Sequence, residues 1–204
     1  MFEVKVMAKG GGFEREIAVL LSKWWTEGER DDVFGRSDGS GGRFTARKKR
    51  GKDTANQGGD ITFIDSIGEP LIAAWSIEAK TGYGTKKKIK DKDGEVISKE
   101  TIRWDVLDFL DSKQKEPVLQ KMWAQCRRDA ELTNREPILI FRRNGRVPCI
   151  MFTIGYYGHL KTYFSGCLPI LKLLVEDFGC VIMPLSSFFN WIPNIRAALK
   201  RRRK

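Results

Sequence analysis

An α/β fold, a mixed central sheet flanked by helices, is the class this sequence predicts, and three observations predict it. Apolar periods alternate in the order helix, strands, helix, strands, helix, the pattern of a sheet with helices packed on it. The 204 residues are 41% hydrophobic, with six Trp and twelve Phe, which is enough for the core of one domain. The apolar run Leu71–Lys80 carries Glu78 and Lys80 two positions apart, so both point to one face of a strand.

In order, residues 13–25 read as an amphipathic helix, because Phe13, Ile17, Leu20, Leu21, Trp24 and Trp25 recur at helical spacing, with Gly10, Gly11 and Gly12 leading in. On a helical wheel Glu14 lies at the margin of the apolar stripe, Arg15 points away, and Glu16 faces solvent. A short strand over 32–36 is followed by a Gly-, Ser-, Arg- and Lys-rich loop over 35–58. Strands 60–65 and 71–80 form a pair joined by a turn around Gly68-Glu-Pro70, and 82–115 is a polar, basic insertion with a short helix near Trp104–Leu110. A helix starts at Pro117, with Pro at its first position, and runs to about Leu132. Strands 137–142 and 148–154 flank an Asn144-Gly145 turn, a strong hairpin signal. A helix over 160–176, a strand over 180–183 and a helix over 187–199 follow. The expected organisation is one domain over 1–199 and a basic tail over 200–204.

The net charge of +11 favours a polyanionic partner, and nucleic acid is the commonest one, although ribosomal and membrane-surface proteins share such a charge. Cys126, Cys149, Cys167 and Cys180 form no CxxC pair, and His159 is the sole histidine, which argues against a zinc site and a histidine-based triad. The cysteines read as reduced thiols of a cytoplasmic protein. No apolar h-region opens the chain, and no apolar run reaches the roughly 18 residues of a membrane span. His159 and the tryptophans read as structural, except Trp104, which could stack on a base from within the polar insertion; Gln125 reads as a surface residue.

A carboxylate and an ammonium in a buried strand cost several kcal/mol unless compensated. Asp60, at the head of Gly59-Asp-Ile-Thr-Phe-Ile64, supplies a second carboxylate on a neighbouring strand. One Asp, one Glu and one Lys meeting there suit Mg²⁺-dependent phosphodiester chemistry: Asp60 and Glu78 as metal ligands, the Ala79 carbonyl as a third, and Lys80 beside the nucleophile. Glu14 could complete the site from the first helix. Arg43, Arg47, Lys48, Lys49 and Arg50 precede Asp60, and Lys86, Lys87 and Lys88 follow Lys80, so both basic segments are candidates for phosphate contacts.

Gly59-Asp60-Ile61 followed by Ile77-Glu78-Ala79-Lys80 resembles the PD-(D/E)xK nuclease motif, with Gly59 in place of its proline. Gly12-Phe-Glu14-Arg-Glu16-Ile17 resembles the first helix of archaeal-type Holliday-junction resolvases, in which the first Glu is catalytic. Phe34–Gly41 resembles their strand that ends in a Ser/Gly-rich loop, where Ser40 or Ser37 matches the serine that assists catalysis. Residues 121–130 and 137–142 resemble the downstream helix and strand of phage-type relatives. The resemblance covers roughly residues 10–155. It implies a restriction-endonuclease-like fold and an Mg²⁺-dependent DNA endonuclease, with Mn²⁺ able to substitute, that leaves 5′-phosphate and 3′-hydroxyl ends. It further implies a branched substrate such as a four-way junction and a homodimer to make paired cuts. The alternatives are a restriction-like or phage DNA-processing endonuclease of the same fold, and a DNA-binding protein that does not cleave.

Overall fold

The computed structural model describes residues 11–37, 58–82, 85–90, 95–102, 104–113, 116–166, 170–175 and 178–200. Helix α1 (Gly11–Trp25) leads into a short antiparallel pair, β1 (Phe34–Arg36) and β2 (Ile61–Phe63). A 3₁₀ turn (Ser66–Gly68) and α2 (Glu69–Ala74) bring the chain to β3 (Trp75–Thr81). The hairpin β4 (Thr85–Lys90) and β5 (Val96–Ile102) follows, then α3 (Asp108–Asp111) and α4 (Val118–Thr133). Next come β6 (Glu136–Arg142), β7 (Cys149–Thr153), α5 (Ile154–Lys161), β8 (Leu171–Val175), β9 (Phe178–Pro184), α6 (Leu185–Trp191) and α7 (Arg196–Lys200).

The central sheet is mixed and five-stranded, in the order β3-β6-β7-β9-β8. Only the β3–β6 pair is parallel, and α4 makes the crossover that a parallel pair needs. Strand alternation divides the core between the two faces of this sheet. Ile77, Ile138, Ile140, Ile150, Phe152, Val181 and Met183 pack with α1, α2, α5, α6 and α7. Leu139, Phe141, Met151, Leu173, Cys180 and Ile182 pack with Trp104 and with Leu119, Met122, Trp123 and Cys126 of α4. The result is a helix–sheet–helix sandwich, as the alternating order of elements required. Among the described residues no helix is long and apolar enough to cross a membrane.

Several local expectations are corrected. Residues 71–74 are helical, and β3 begins at Trp75. Pro70 sits in the first turn of α2, where its missing N–H costs nothing, and Leu71 and Ile72 are fully buried as a helical face. The Asp60 segment therefore does not form a hairpin with β3. It touches β3 through one parallel bridge, Gly59 to Ile77, and a parallel contact demands a crossover rather than a turn. The helix expected over 160–176 ends at Lys161, and 171–175 is a strand. That helix starts earlier because the Thr153 hydroxyl accepts from the Tyr156 N–H at 3.1 Å and caps it directly after β7. The expected insertion contains a two-stranded ribbon, and the C-terminal helix is two short helices with a break after Trp191. The Asn144-Gly145 hairpin is found: β6 and β7 are antiparallel, with Gly145 at φ 69°. Helix α4 ends at Asn134, which caps it in the left-handed region at φ 52°.

Candidate active site

Strand β3 is an edge strand of the central sheet, and Asp60 lies against its open side. The Asp60 N–H donates to the Ile77 carbonyl at 2.7 Å, and its Oδ2 accepts from the Ala79 N–H at 3.0 Å. Gly59 makes this approach possible. At φ +90° a side chain would be strained, and a Cβ would stand 2.5 Å from the Ile77 carbonyl oxygen. Gly59 is thus the residue that lets Asp60 seat on β3.

Asp60, Glu78 and Lys80 meet as expected. The Lys80 ammonium pairs closely with Glu78 Oε1 and lies 3.5 Å from Asp60 Oδ2. Both carboxylates are buried, Asp60 at 6% exposure and Glu78 at 3%. Burial raises the Glu78 pKa first, the neighbouring Asp60 charge adds to it, and the pull of Lys80 is too small to cancel them, so the carboxyl is pushed up to about 7. Two carboxylates share one ammonium here, and further positive charge would relieve the pair.

Every hydrogen bond that these two carboxylates make among the described residues falls on Asp60 Oδ2 and Glu78 Oε1. Asp60 Oδ1 and Glu78 Oε2 remain as hard donors. The Ala79 carbonyl lies on the same edge of β3 as its own N–H, the edge that faces Asp60. Among the described residues no group of three or more Asp, Glu, His or Cys side chains is arranged to hold a metal. Two carboxylates and a carbonyl fit Mg²⁺, which retains several waters and needs few protein ligands.

Gln125 is a site residue that the sequence reading placed on the surface. Its Nε2 donates to Glu78 Oε1 at 2.8 Å, because α4 packs on the sheet face from which Glu78 projects. Gln125 also bonds Asp129, whose pKa burial raises, with the Asp60 charge contributing in the same direction. The available signal was the spacing itself, since Gln125 and Asp129 are one turn apart, beside the buried Cys126.

The Glu14 ion pair is with Arg36 Nε, and no hydrogen bond joins Glu14 to Asp60, Glu78 or Lys80. Arg36 and Ser37 connect the two places: Arg36 pairs with Ile61 in the β1–β2 register, and the buried Ser37 donates its N–H to the Asp60 carbonyl at 2.9 Å. Of the two serines, Ser37 is brought to Asp60, whereas Ser40 lies outside the described residues, as do Arg43, Arg47, Lys48, Lys49 and Arg50. Lys86, Lys87 and Lys88 lie on β4.

Glu16 does not face solvent. It pairs with Arg142 at 2.6 Å, its Oε2 is buried without a partner among the described residues, and the Arg142 guanidinium also covers the Phe13 ring at 4.6 Å. Arg142 ends β6, whose even-numbered residues face α1, so the pair ties α1 to the sheet next to the site. Trp104 is not free to stack on a base: it is buried, and its indole N–H donates to the Gly82 carbonyl at 3.0 Å. His159 packs between Tyr156 and Tyr163, a structural placement.

No family model matches this chain, and no curated protein or solved structure matches it.

Proposed function

We propose that the chain is a metal-dependent DNA endonuclease with a restriction-endonuclease-like core, acting on phosphodiester bonds and selective for branched DNA such as a four-way junction. The observation that carries this reading is the meeting of Asp60, Glu78 and Lys80 on the open edge of β3, buried and short of positive charge. The basic balance of the chain, +11, supports a polyanionic substrate. Junction selectivity and a homodimer rest on the resemblance of the α1 and β1 segments to resolvases.

Asp60 Oδ1, Glu78 Oε2 and the Ala79 carbonyl are the groups that would hold Mg²⁺, and Mn²⁺ has the same oxygen preference. When bound, the ion would polarise the phosphoryl oxygens and lower the pKa of a water. Lys80 would offer its ammonium to the negative charge that grows on the phosphate, and its contacts with both carboxylates orient it. Gln125 fixes the Glu78 carboxylate from the opposite side. Glu14 and Arg36 form an ion pair; in this reading Arg36 would meet a phosphate and Glu14 would hold its guanidinium.

The test is cleavage of a labelled immobile four-way junction beside a matched linear duplex, with Mg²⁺ and with EDTA. Symmetric Mg²⁺-dependent cuts confined to the junction are expected. Equal cutting of the duplex would keep the site and discard the junction. Asp60→Asn is expected to abolish cleavage and leave binding largely intact; undiminished cleavage in that variant would overturn the site assignment.

A further inference from the structure

The turn between β6 and β7 holds a compact basic group beside the proposed site. Strands β3 and β6 are parallel, so the end of β3 that carries Lys80 lies at the same end of the sheet as the Asn144-Gly145 turn. In that register Lys80 stands next to Phe141, and Thr81 next to Arg142. The Gly82 N–H donates to the Arg142 carbonyl at 3.3 Å, which fixes the chain just beyond Lys80 against the start of the turn. The Arg146 N–H donates to the Arg143 carbonyl at 3.0 Å and closes the turn, with Gly145 at φ 69°. Lys80 and Phe141 are ladder neighbours about 4.8 Å apart, and the step to Arg143 and the turn to Arg146 each add less than about 7 Å, so the Cα of Arg146 lies within about 19 Å of that of Lys80. That is about six base-pair steps of duplex at 3.4 Å each.

Three arginines fall within five residues here, and residues 142–148 contain no acid. The three differ in what already holds them. Arg142 is buried and pairs with Glu16 on the α1 side of the sheet. Arg143 pairs with Asp105, and its side chain is still 38% exposed. Arg146 is exposed and, among the described residues, forms no ion pair. Beside it Val147 is 65% exposed. Guanidinium groups meet phosphates in a bidentate fashion, and an apolar side chain can cover a base pair that has lost its stacking partner. Continuous duplex offers phosphates without such an open base pair, whereas a branch point offers both together.

We propose that the tip of the β6–β7 hairpin docks at the branch point of the DNA substrate, with Arg143 and Arg146 on the flanking phosphates and Val147 against the base pair left open there. The inference rests on the endonuclease reading for the choice of DNA, and it deepens that reading by naming the element that tells a branched substrate from a continuous duplex. The binding it describes does not require cleavage. It also sets the distance between branch and cut, since Lys80 lies within about six base-pair steps of the tip.

The experiment is equilibrium binding of a labelled immobile four-way junction and a matched linear duplex to the full chain in EDTA, across a salt titration, with thermal unfolding of each variant measured alongside. Arg146 carries the charge test, because Arg143 also holds Asp105. Arg146→Gln is expected to reduce the slope of log K against log salt for the junction by about 0.9, the share of one phosphate contact. Val147→Ser is expected to weaken junction binding about five-fold and to leave the duplex and the salt slope unchanged. Lys161→Gln removes the same charge from the opposite end of the sheet, where α5 follows β7, and is expected to change neither. All three side chains are exposed, so unfolding should stay at the wild-type temperature. A slope unmoved by Arg146→Gln, or moved equally by Lys161→Gln, overturns the proposal, because charge would then act without a place. Equal weakening of junction and duplex by Val147→Ser, no weakening of either, or a wild type that binds both alike overturns it too. Cleavage in Mg²⁺ is read separately. A wild type that cuts the junction while the tip variants bind like it keeps the endonuclease reading and refutes the hairpin; a wild type that binds the junction through the tip and never cuts refutes the endonuclease and leaves the hairpin standing.

Discussion

Glu78→Gln separates the cost of a buried charge from its use. The Glu78 carboxyl ionises at about 7 in the fold, against an ordinary value of 4.5. A carboxyl raised in this way favours the fold when protonated: its contribution is complete below 4.5 and is lost as pH rises through 7. At 1.36 kcal/mol per pH unit, the fold gives up on the order of 3 kcal/mol between those limits. Gln keeps the size and a polar contact for Gln125 but does not titrate. Lys80 keeps Asp60 at 3.5 Å in the variant, and its attraction to an ionised Glu78 is already contained in the value of about 7. Urea unfolding followed by tryptophan fluorescence in EDTA, at intervals from pH 4.5 to 8, should therefore show the wild type losing stability relative to the variant as pH rises, by up to about 3 kcal/mol. Adding Mg²⁺ at pH 8 should restore much of that loss in the wild type and little in the variant, because a ligand that binds only the folded site stabilises it. Parallel curves for the two proteins in EDTA would refute the reasoning, since Glu78 would then ionise like a carboxylate in water.

Two further substitutions test how the site is positioned. Gly59→Ala meets the Ile77 carbonyl at 2.5 Å from a backbone at φ +90°, so it should cost about 1–3 kcal/mol of stability and reduce cleavage more than DNA binding; a variant as stable and active as the wild type would show that the close approach is not needed. Gln125→Leu removes a donor from the Glu78 carboxylate, which disfavours its charged form, so the acidic limb of the cleavage pH profile should move up by about one unit. An unmoved limb would leave Gln125 with a packing role alone.

Much of this architecture was legible in local pattern. The stripe Phe13, Ile17, Leu21 and Trp24 gave α1, the Asn144-Gly145 pair gave the β6–β7 hairpin, and the alternation of elements gave a mixed sheet between helices. The pairing of Glu78 with Lys80 was legible too, because a strand period of two puts them on one face. Pattern failed where one apolar run serves two structures. Leu71–Ala74 and Trp75–Ala79 look alike by hydropathy, and Pro70 at a helical first turn together with the parallel contact at Gly59 divides them.

Composition and the strand period by themselves determined an α/β chain with Glu78 and Lys80 on one face of a strand, and the charge of +11 favours a polyanionic partner. Tertiary structure alone decided the rest of the site. It turned Gln125 and Glu16 inward, since a helix face is inner or outer only once the sheet it packs on is known. It also paired Glu14 with Arg36 and joined Trp104 to Gly82 just beyond β3, because contacts between residues far apart in the chain depend on crossovers and registers that no local period encodes.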